Sequence, residues 1–137
     1  MIVVDASVLT DFLLGRPEAV TAMEREMVDR EHEPLHAPEL VEPETLNALR
    51  GLVRGGAITD RRASEAVDDL ASVRLLRYPH APLRQGVWEL RGNLSAYDAT
   101  YLALVEALDD SVLLTGDSGL ATAAGDQLGD HRVRHIA

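Results

Sequence analysis

The sequence contains neither cysteine nor lysine, and its aromatic residues are one Phe, one Trp and three Tyr. The absence of cysteine excludes a disulfide framework and thiolate chemistry. The absence of lysine excludes a lysine-based phosphate loop and Schiff-base chemistry. No apolar run approaches the length of a transmembrane helix, and no signal peptide is recognisable. We therefore expect a soluble, cytoplasmic protein that does not enter a membrane.

Positive charge is also scarce. All thirteen basic residues are arginines, and 23 acidic residues oppose them, so the formal net charge is −10. A strongly acidic chain is a poor general binder of nucleic acid, so a polyanionic substrate would need positive charge supplied locally. Most surface arginines simply pair with acids, and the sequence leaves open which of them would contact a substrate. The candidates are Arg50, Arg54, Arg61, Arg62, Arg84 and Arg91.

Short apolar runs alternate with helical patterns along the 137 residues. This alternation is typical of the α/β class, and it predicts a single domain over residues 1–137. The expected architecture is a three-layer α/β/α sandwich with a mostly parallel central sheet. Strands are predicted at 2–4, 35–37, 73–78, 112–115 and 133–136. Helices are predicted at 6–14, 18–33, 43–54, 81–91, 94–108 and 120–128, with one more beginning after Thr59.

Two aspartates follow predicted strands directly. Asp5 ends the run Ile2-Val3-Val4, and Asp117 follows the run from Val112 to Thr115. In parallel α/β sheets the ligand crevice lies beyond the carboxyl ends of the strands, so both side chains are expected at one site. Each aspartate could equally be an N-cap of the helix that follows it, or, for Asp117, a turn residue beside Gly116.

A third aspartate interrupts the stretch LSAYDATYLALVEAL, residues 94–108. On a helix Asp98 falls within an apolar arc, where an unpartnered carboxylate is expensive to bury. Ser95 is a natural N-cap, so Asp98 could instead complete a capping box with it. The arc itself consists of Tyr97, Tyr101, Leu104, Val105 and Leu108, with Leu102 at its edge.

Glu44 is the fourth candidate. It lies in the first turn of the predicted helix 43–54, on the flank of its apolar face. Glu39 and Glu42 are close enough in sequence to compete for the same role, but Glu42 precedes a proline and is disfavoured in a helix. A surface glutamate that merely favours the helix dipole is the structural alternative for Glu44.

Four carboxylates in one pocket repel each other and raise each other's pKa values. A divalent cation that prefers oxygen ligands, Mg²⁺ or Mn²⁺, would relieve that repulsion. Such a site can polarise a phosphodiester and generate a hydroxide nucleophile. The pattern therefore indicates metal-dependent hydrolysis, although each acid taken singly has a structural explanation.

The chain resembles the PIN-domain ribonucleases, and its order and spacing of acids are similar to those of the VapC toxins of bacterial toxin–antitoxin pairs. The resemblance rests on IVVDASVL, APELVEPETLNALR, LSAYDATYLALVEAL and LLTGDSGLATAA, and runs over nearly the whole chain. It implies that Asp5, Glu44, Asp98 and Asp117 are the catalytic and metal-binding acids. It also implies a supporting role for three polar residues, Ser7, Asn47 and Thr115.

The resemblance further implies an RNA substrate, Mg²⁺ or Mn²⁺ as cofactor, a small VapB-like antitoxin as partner and a homodimer. The alternative is a catalytically inactive PIN-like module that binds RNA or protein without cutting. A phospho-receiver domain, which also gathers aspartates at strand ends, needs a lysine that this chain lacks. Trp88 and Tyr97 could stack on bases, but with so few aromatic residues we expect both to lie in the core.

Overall fold

The computed structural model describes residues 1–30 and 32–137. Over these ranges five strands form one sheet in the order β3-β2-β1-β4-β5, and every neighbouring pair is parallel. The predicted α/β class and the three-layer arrangement are confirmed. The strands are β1 (Ile2–Val4), β2 (Leu35–Pro38), β3 (Leu75–Tyr78), β4 (Val112–Thr115) and β5 (Val133–His135).

Strand β1 lies at the centre of the sheet because it is apolar on both faces. Its residues pair with β2 on one side and β4 on the other, with Ile2 opposite both Leu35 and Val112. All three residues of β1 are buried. A continuous apolar run is typical of a strand covered by helices on both faces, and the observed burial follows from it.

The helices form two layers. Helices α1 to α4 contact one another, and α6 contacts both α5 and α7. Right-handed crossovers that run first from β1 to β3 and then back to β5 place these groups on opposite faces of the sheet. The helices are α1 (Ala6–Leu13), α2 (Pro17–Met27), α3 (Val41–Arg54), α4 (Asp60–Ser72), α5 (Arg84–Glu89), α6 (Ala96–Ala107) and α7 (Ser118–Leu128).

Several predicted boundaries are wrong. Helix α2 ends at Met27 and not near Glu33; Glu31, within that prediction, lies outside the described residues. Met27 is the last residue of α2 to pack on the core, and Val28 is already exposed, so nothing apolar holds the helix beyond it. Helix α3 starts two residues before Pro43, which is tolerated because a first-turn residue has no intrahelical N–H bond to lose.

The prediction that Trp88 and Tyr97 lie in the core is also wrong, since their side chains are 60% and 63% exposed. Tyr97 sits in the exposed first turn of α6, whereas the residues that follow, from Ala99 to Val105, are all buried. The apolar arc therefore begins at Tyr101, one turn later. None of the helices in residues 1–30 and 32–137 is long and apolar enough to cross a membrane.

Arg132 secures the carboxyl end of α6, a contact that the sequence did not suggest. Its Nη2 donates to the carbonyl oxygens of Val105 at 2.8 Å and Leu108 at 3.1 Å, and its Nε donates to that of Ser111. Carbonyls in the last turn of a helix lack intrahelical partners, and a half-buried guanidinium satisfies several at once. Arg132 thus fixes the helix whose other end carries Asp98.

We predict that Arg132→Ala lowers the free energy of unfolding by about 2 kcal/mol, since it removes several charged hydrogen bonds to the carbonyls of Val105, Leu108 and Ser111. Urea denaturation followed by circular dichroism measures this. Arg61→Ala is the control, because the Arg61 side chain is 91% exposed and makes a surface pair with Glu65. A loss for Arg132→Ala no larger than that of the control would contradict the assignment.

Candidate functional site

Asp5 follows the last residue of β1 and is buried, with 5% of its surface exposed. Its Oδ1 accepts hydrogen bonds from the Ser7 hydroxyl at 2.6 Å and the Val8 N–H at 3.0 Å, so it also caps α1. Its Oδ2 accepts a hydrogen bond from the Thr115 hydroxyl. Burial raises the pKa of Asp5 above its usual range, opposed by the hydrogen bonds from Ser7 and Thr115. Asp5 therefore both caps α1 and lies at the end of β1, where the site is expected.

Ser7 and Thr115 join the ends of β1 and β4. The Ser7 Oγ accepts from the Gly116 N–H at 2.9 Å while donating to Asp5. A Cβ added at Gly116 would lie 3.0 Å from that Oγ, so glycine allows the two segments to approach. Strands β1 and β4 lie where the sheet order changes direction, which is where ligands bind in open α/β sheets. Two predicted supporting residues therefore lie at the crevice.

Asp117 starts α7 from the same loop. Its Oδ1 accepts from the Leu120 N–H at 2.8 Å, and its own N–H donates to the Thr115 Oγ1 at 3.0 Å. Thr115 thus contacts both aspartates, donating to one and accepting from the backbone of the other. The Asp117 charge contributes to the raised pKa of Asp5, so these two carboxylates are near neighbours.

Asp98 projects from the first turn of α6 and is half-buried. Ser95 caps that helix, its Oγ accepting from the Asp98 N–H at 3.2 Å. The reciprocal bond of a capping box is missing, and the Asp98 carboxylate makes no hydrogen bond within the described residues. Burial raises the pKa of Asp98, and so do the charges of Asp117, Glu44 and Asp5. The other three predicted acids therefore lie close enough for their charges to act on Asp98.

Glu44, and not its neighbours in sequence, reaches this cluster. Its Oε1 accepts a hydrogen bond from the Tyr101 hydroxyl at 2.6 Å, which links α3 in one helix layer to α6 in the other. Glu42 is turned away and forms an ion pair with Arg77 on β3. Glu39 is exposed before the helix starts. The structure therefore separates Glu44 from the two glutamates that sequence spacing alone could confuse with it.

Tyr101 is the residue that the sequence analysis missed, since it was taken only as part of the apolar arc. It is 2% exposed. Burial, then the hydrogen bond to Glu44 and the charge of Glu44, raise its pKa, so it stays a neutral hydrogen-bond donor. A tyrosine at a core position needs a partner for its hydroxyl, and that requirement was the available signal.

Asn47 is the one predicted residue that the structure does not bring into contact with the acids. It lies one turn after Glu44 on α3, so both side chains are on the same side of the helix. Its side chain is exposed and makes no hydrogen bond in residues 1–30 and 32–137. Its supporting role stays a prediction.

No arginine within residues 1–30 and 32–137 forms an ion pair with the four acids. Among the described residues, each ion pair involves an acid outside the group Asp5, Glu44, Asp98 and Asp117. An uncompensated set of carboxylate oxygens is the donor chemistry that Mg²⁺ or Mn²⁺ prefers. As the side chains stand in the described ranges, no three of them already form a group able to hold an ion. The donor set fits a hard cation, and binding would require side-chain adjustment.

Comparison with known proteins agrees with this geometry. The PIN domain model matches residues 2–126, which includes all four acids. The chain belongs to the PIN domain family. The predicted family is thus confirmed, and the β1–β4 crevice described above is the crevice of this chain's PIN domain.

The relatives of this PIN domain include named ribonucleases. The chain is 40% identical over 127 residues to Ribonuclease VapC1 of Mycobacterium tuberculosis, covering 90% of each protein. It is 43% identical over 124 residues to VapC ribonuclease Mb0985 of Mycobacterium bovis, covering 88% of this chain and 89% of that one. Among solved structures it is similar to PAE2754 from Pyrobaculum aerophilum, with a TM-score of 0.66 and 26% identity over 96% of this chain and 81% of that chain.

We predict that Asp98→Asn makes the metal-free protein more stable. A raised pKa means that ionised Asp98 is less stable in the folded than in the unfolded chain, so removing the charge raises the free energy of unfolding at neutral pH. Thermal denaturation in a chelating buffer measures the gain as a higher Tm. Asp69→Asn, at an exposed position of α4, is the matched control and is expected to change stability by less than about 0.5 kcal/mol. A Tm for Asp98→Asn at or below that of wild type would refute the repulsion argument.

Proposed function

We propose that this PIN domain is a metal-dependent endoribonuclease, and that it is the toxin component of a VapBC-type toxin–antitoxin pair. The observation that carries the proposal is the group of four acids without cationic partners at the β1–β4 crevice. The ribonuclease names of relatives that align over about nine-tenths of the chain support the same reading. The proposed domain is the whole chain, residues 1–137, since β5 near its end extends the sheet.

Asp5, Glu44, Asp98 and Asp117 would hold Mg²⁺ or Mn²⁺. When bound, the ion supplies positive charge that offsets the carboxylates and the scissile phosphate and favours deprotonation of the attacking water. Ser7 and Thr115 fix the Asp5 carboxylate through hydrogen bonds without neutralising it. Tyr101 does the same for Glu44. Neutral hydroxyl donors therefore orient the acids and leave their charge available.

The Asp98 carboxylate is held by no hydrogen bond in the described residues, so it is free to turn toward a bound ion. Asp117 would complete the pocket, either by binding a second ion or by orienting the attacking water. In the proposed reaction water attacks the phosphorus, the bond to the 3′ oxygen breaks, and that oxygen takes up a proton. The products are a 5′-phosphate and a 3′-hydroxyl end.

The VapC names of the relatives support a VapB-like antitoxin as the partner. A net charge of −10 is complementary to a basic peptide segment, so such an antitoxin would block the site by placing an arginine among the carboxylates. We propose further that the chain acts in the cytoplasm and forms a homodimer.

We predict that purified, antitoxin-free protein cleaves RNA only with Mg²⁺ or Mn²⁺. Asp98→Asn and Glu44→Gln should each reduce the rate by about 100-fold or more, because each removes charge from the reacting centre. Glu42→Gln is the matched control, since Glu42 pairs with Arg77 and should be dispensable. Sequencing of product ends checks the chemistry, with 5′-phosphates expected.

A readout independent of activity separates metal binding from catalysis. Mg²⁺ or Mn²⁺ should raise the Tm of wild-type protein and of Glu42→Gln, and raise it much less for Asp98→Asn, because a ligand stabilises the state that binds it. Equal cleavage by wild type and Asp98→Asn, or cyclic phosphate ends, would reject the proposed mechanism. RNA binding without any cleavage would instead favour the non-cutting PIN-like module.

A further inference from the structure

Two large aromatic side chains are exposed to solvent on the α5–α6 side of the molecule. Trp88 on α5 and Tyr97 on α6 are both more than half exposed. Together they line a cavity of about 660 Å³, which we call the aromatic groove. Its other lining residues include Leu40, Arg84 and Gln85. Large apolar surface left exposed around a concavity is typical of a binding site and not of a solvated face.

The aromatic groove adjoins the carboxylate cluster at two points. Tyr97 immediately precedes Asp98 in the first turn of α6. On the other side Leu40 lines the groove and is the N-cap of α3, one turn before Glu44. The groove therefore lies along the first turns of the two helices that carry Asp98 and Glu44.

The charge of the groove is opposite to that of the molecule as a whole. No carboxylate lines it among the described residues, whereas Arg84 does. Arg91 lies over the Trp88 ring, its guanidinium carbon 4.5 Å from the ring centroid. Neither arginine forms an ion pair with a described residue. In a chain of net charge −10 this is a local site suited to a polyanion.

We propose that the aromatic groove binds an unpaired nucleotide of the RNA, next to the phosphate that is cut. The base would stack on Tyr97 and on the part of Trp88 that lines the groove, and Arg84 would face the adjoining phosphate. Stacking on aromatic side chains beside arginines is how proteins hold single-stranded nucleic acid, and it needs bases that are not paired. This inference rests on the proposed ribonuclease function and adds the side chains that would hold a base beside the phosphate that is cut.

Trp88 is the single tryptophan of the chain, so its fluorescence reports the groove directly. In Asp98→Asn protein, which is expected not to cut, a short single-stranded RNA of mixed sequence should quench this fluorescence as it binds. Adding Tyr97→Ala should weaken binding about 5- to 150-fold, the usual effect of losing one stacking partner, while Tyr97→Phe should preserve it. Val28→Ala, an exposed apolar residue at the end of α2, is the control.

Cleavage kinetics on otherwise wild-type protein distinguish the two proposals. Trp88→Ala and Tyr97→Ala should raise KM for single-stranded RNA with little change in kcat, because stacking holds substrate and transition state alike. Metal-dependent cleavage with KM unchanged in both variants would overturn the groove proposal alone. Wild-type protein that neither binds nor cuts RNA would overturn both. Conversion of a dimer to a monomer by these variants, seen by size-exclusion chromatography, would make the groove a protein interface and also overturn the inference.

Discussion

Repulsion among carboxylates at the end of the β1–β4 strand pair is the constraint on which the site depends. The charges of Asp117, Glu44 and Asp5 all raise the pKa of Asp98, and burial raises the pKa of Asp5. A fold under no functional demand would separate these groups or pair them with arginine, since uncompensated buried charge is costly. The fold instead brings these carboxylates to one edge of the sheet, because β1, β4 and the first turns of α3 and α6 all meet there.

The surrounding residues hold the acids in place without neutralising them. Ser7, Thr115 and Tyr101 donate hydroxyl hydrogen bonds, and the N–H groups of the first helical turns provide the rest. A salt bridge at any of these positions would have cancelled the charge that a cation requires. Arginine is used elsewhere for structure, as at Arg132 on the carboxyl end of α6.

Those parts of the molecule that depend on local pattern could be predicted from the sequence. Asp5 and Asp117 were placed correctly because an apolar run defines a strand and its last residue defines the edge. Tyr101 was not foreseen as the partner of Glu44, since that contact joins residues 57 positions apart and depends on the packing of two helix layers. The exposure of Tyr97 was mispredicted for a related reason: helical periodicity gives the side of the helix on which a residue lies, but not whether other elements cover that turn.

Arginines that stabilise the fold are separate from the residues of the site, and this separation explains how an acidic protein can act on an anionic polymer. Most of its arginines are engaged in ion pairs or in contacts with backbone carbonyls, such as Arg77 with Glu42 and Arg62 with the Leu13 carbonyl. Little charge therefore remains to attract phosphate along a broad surface, and the first contact with RNA must be local. Exposed aromatic rings can provide that contact, because stacking does not depend on the net charge of the protein. In the proposed reaction the acids would hold the cation and the aromatic groove would hold the base, and neither task requires a basic surface.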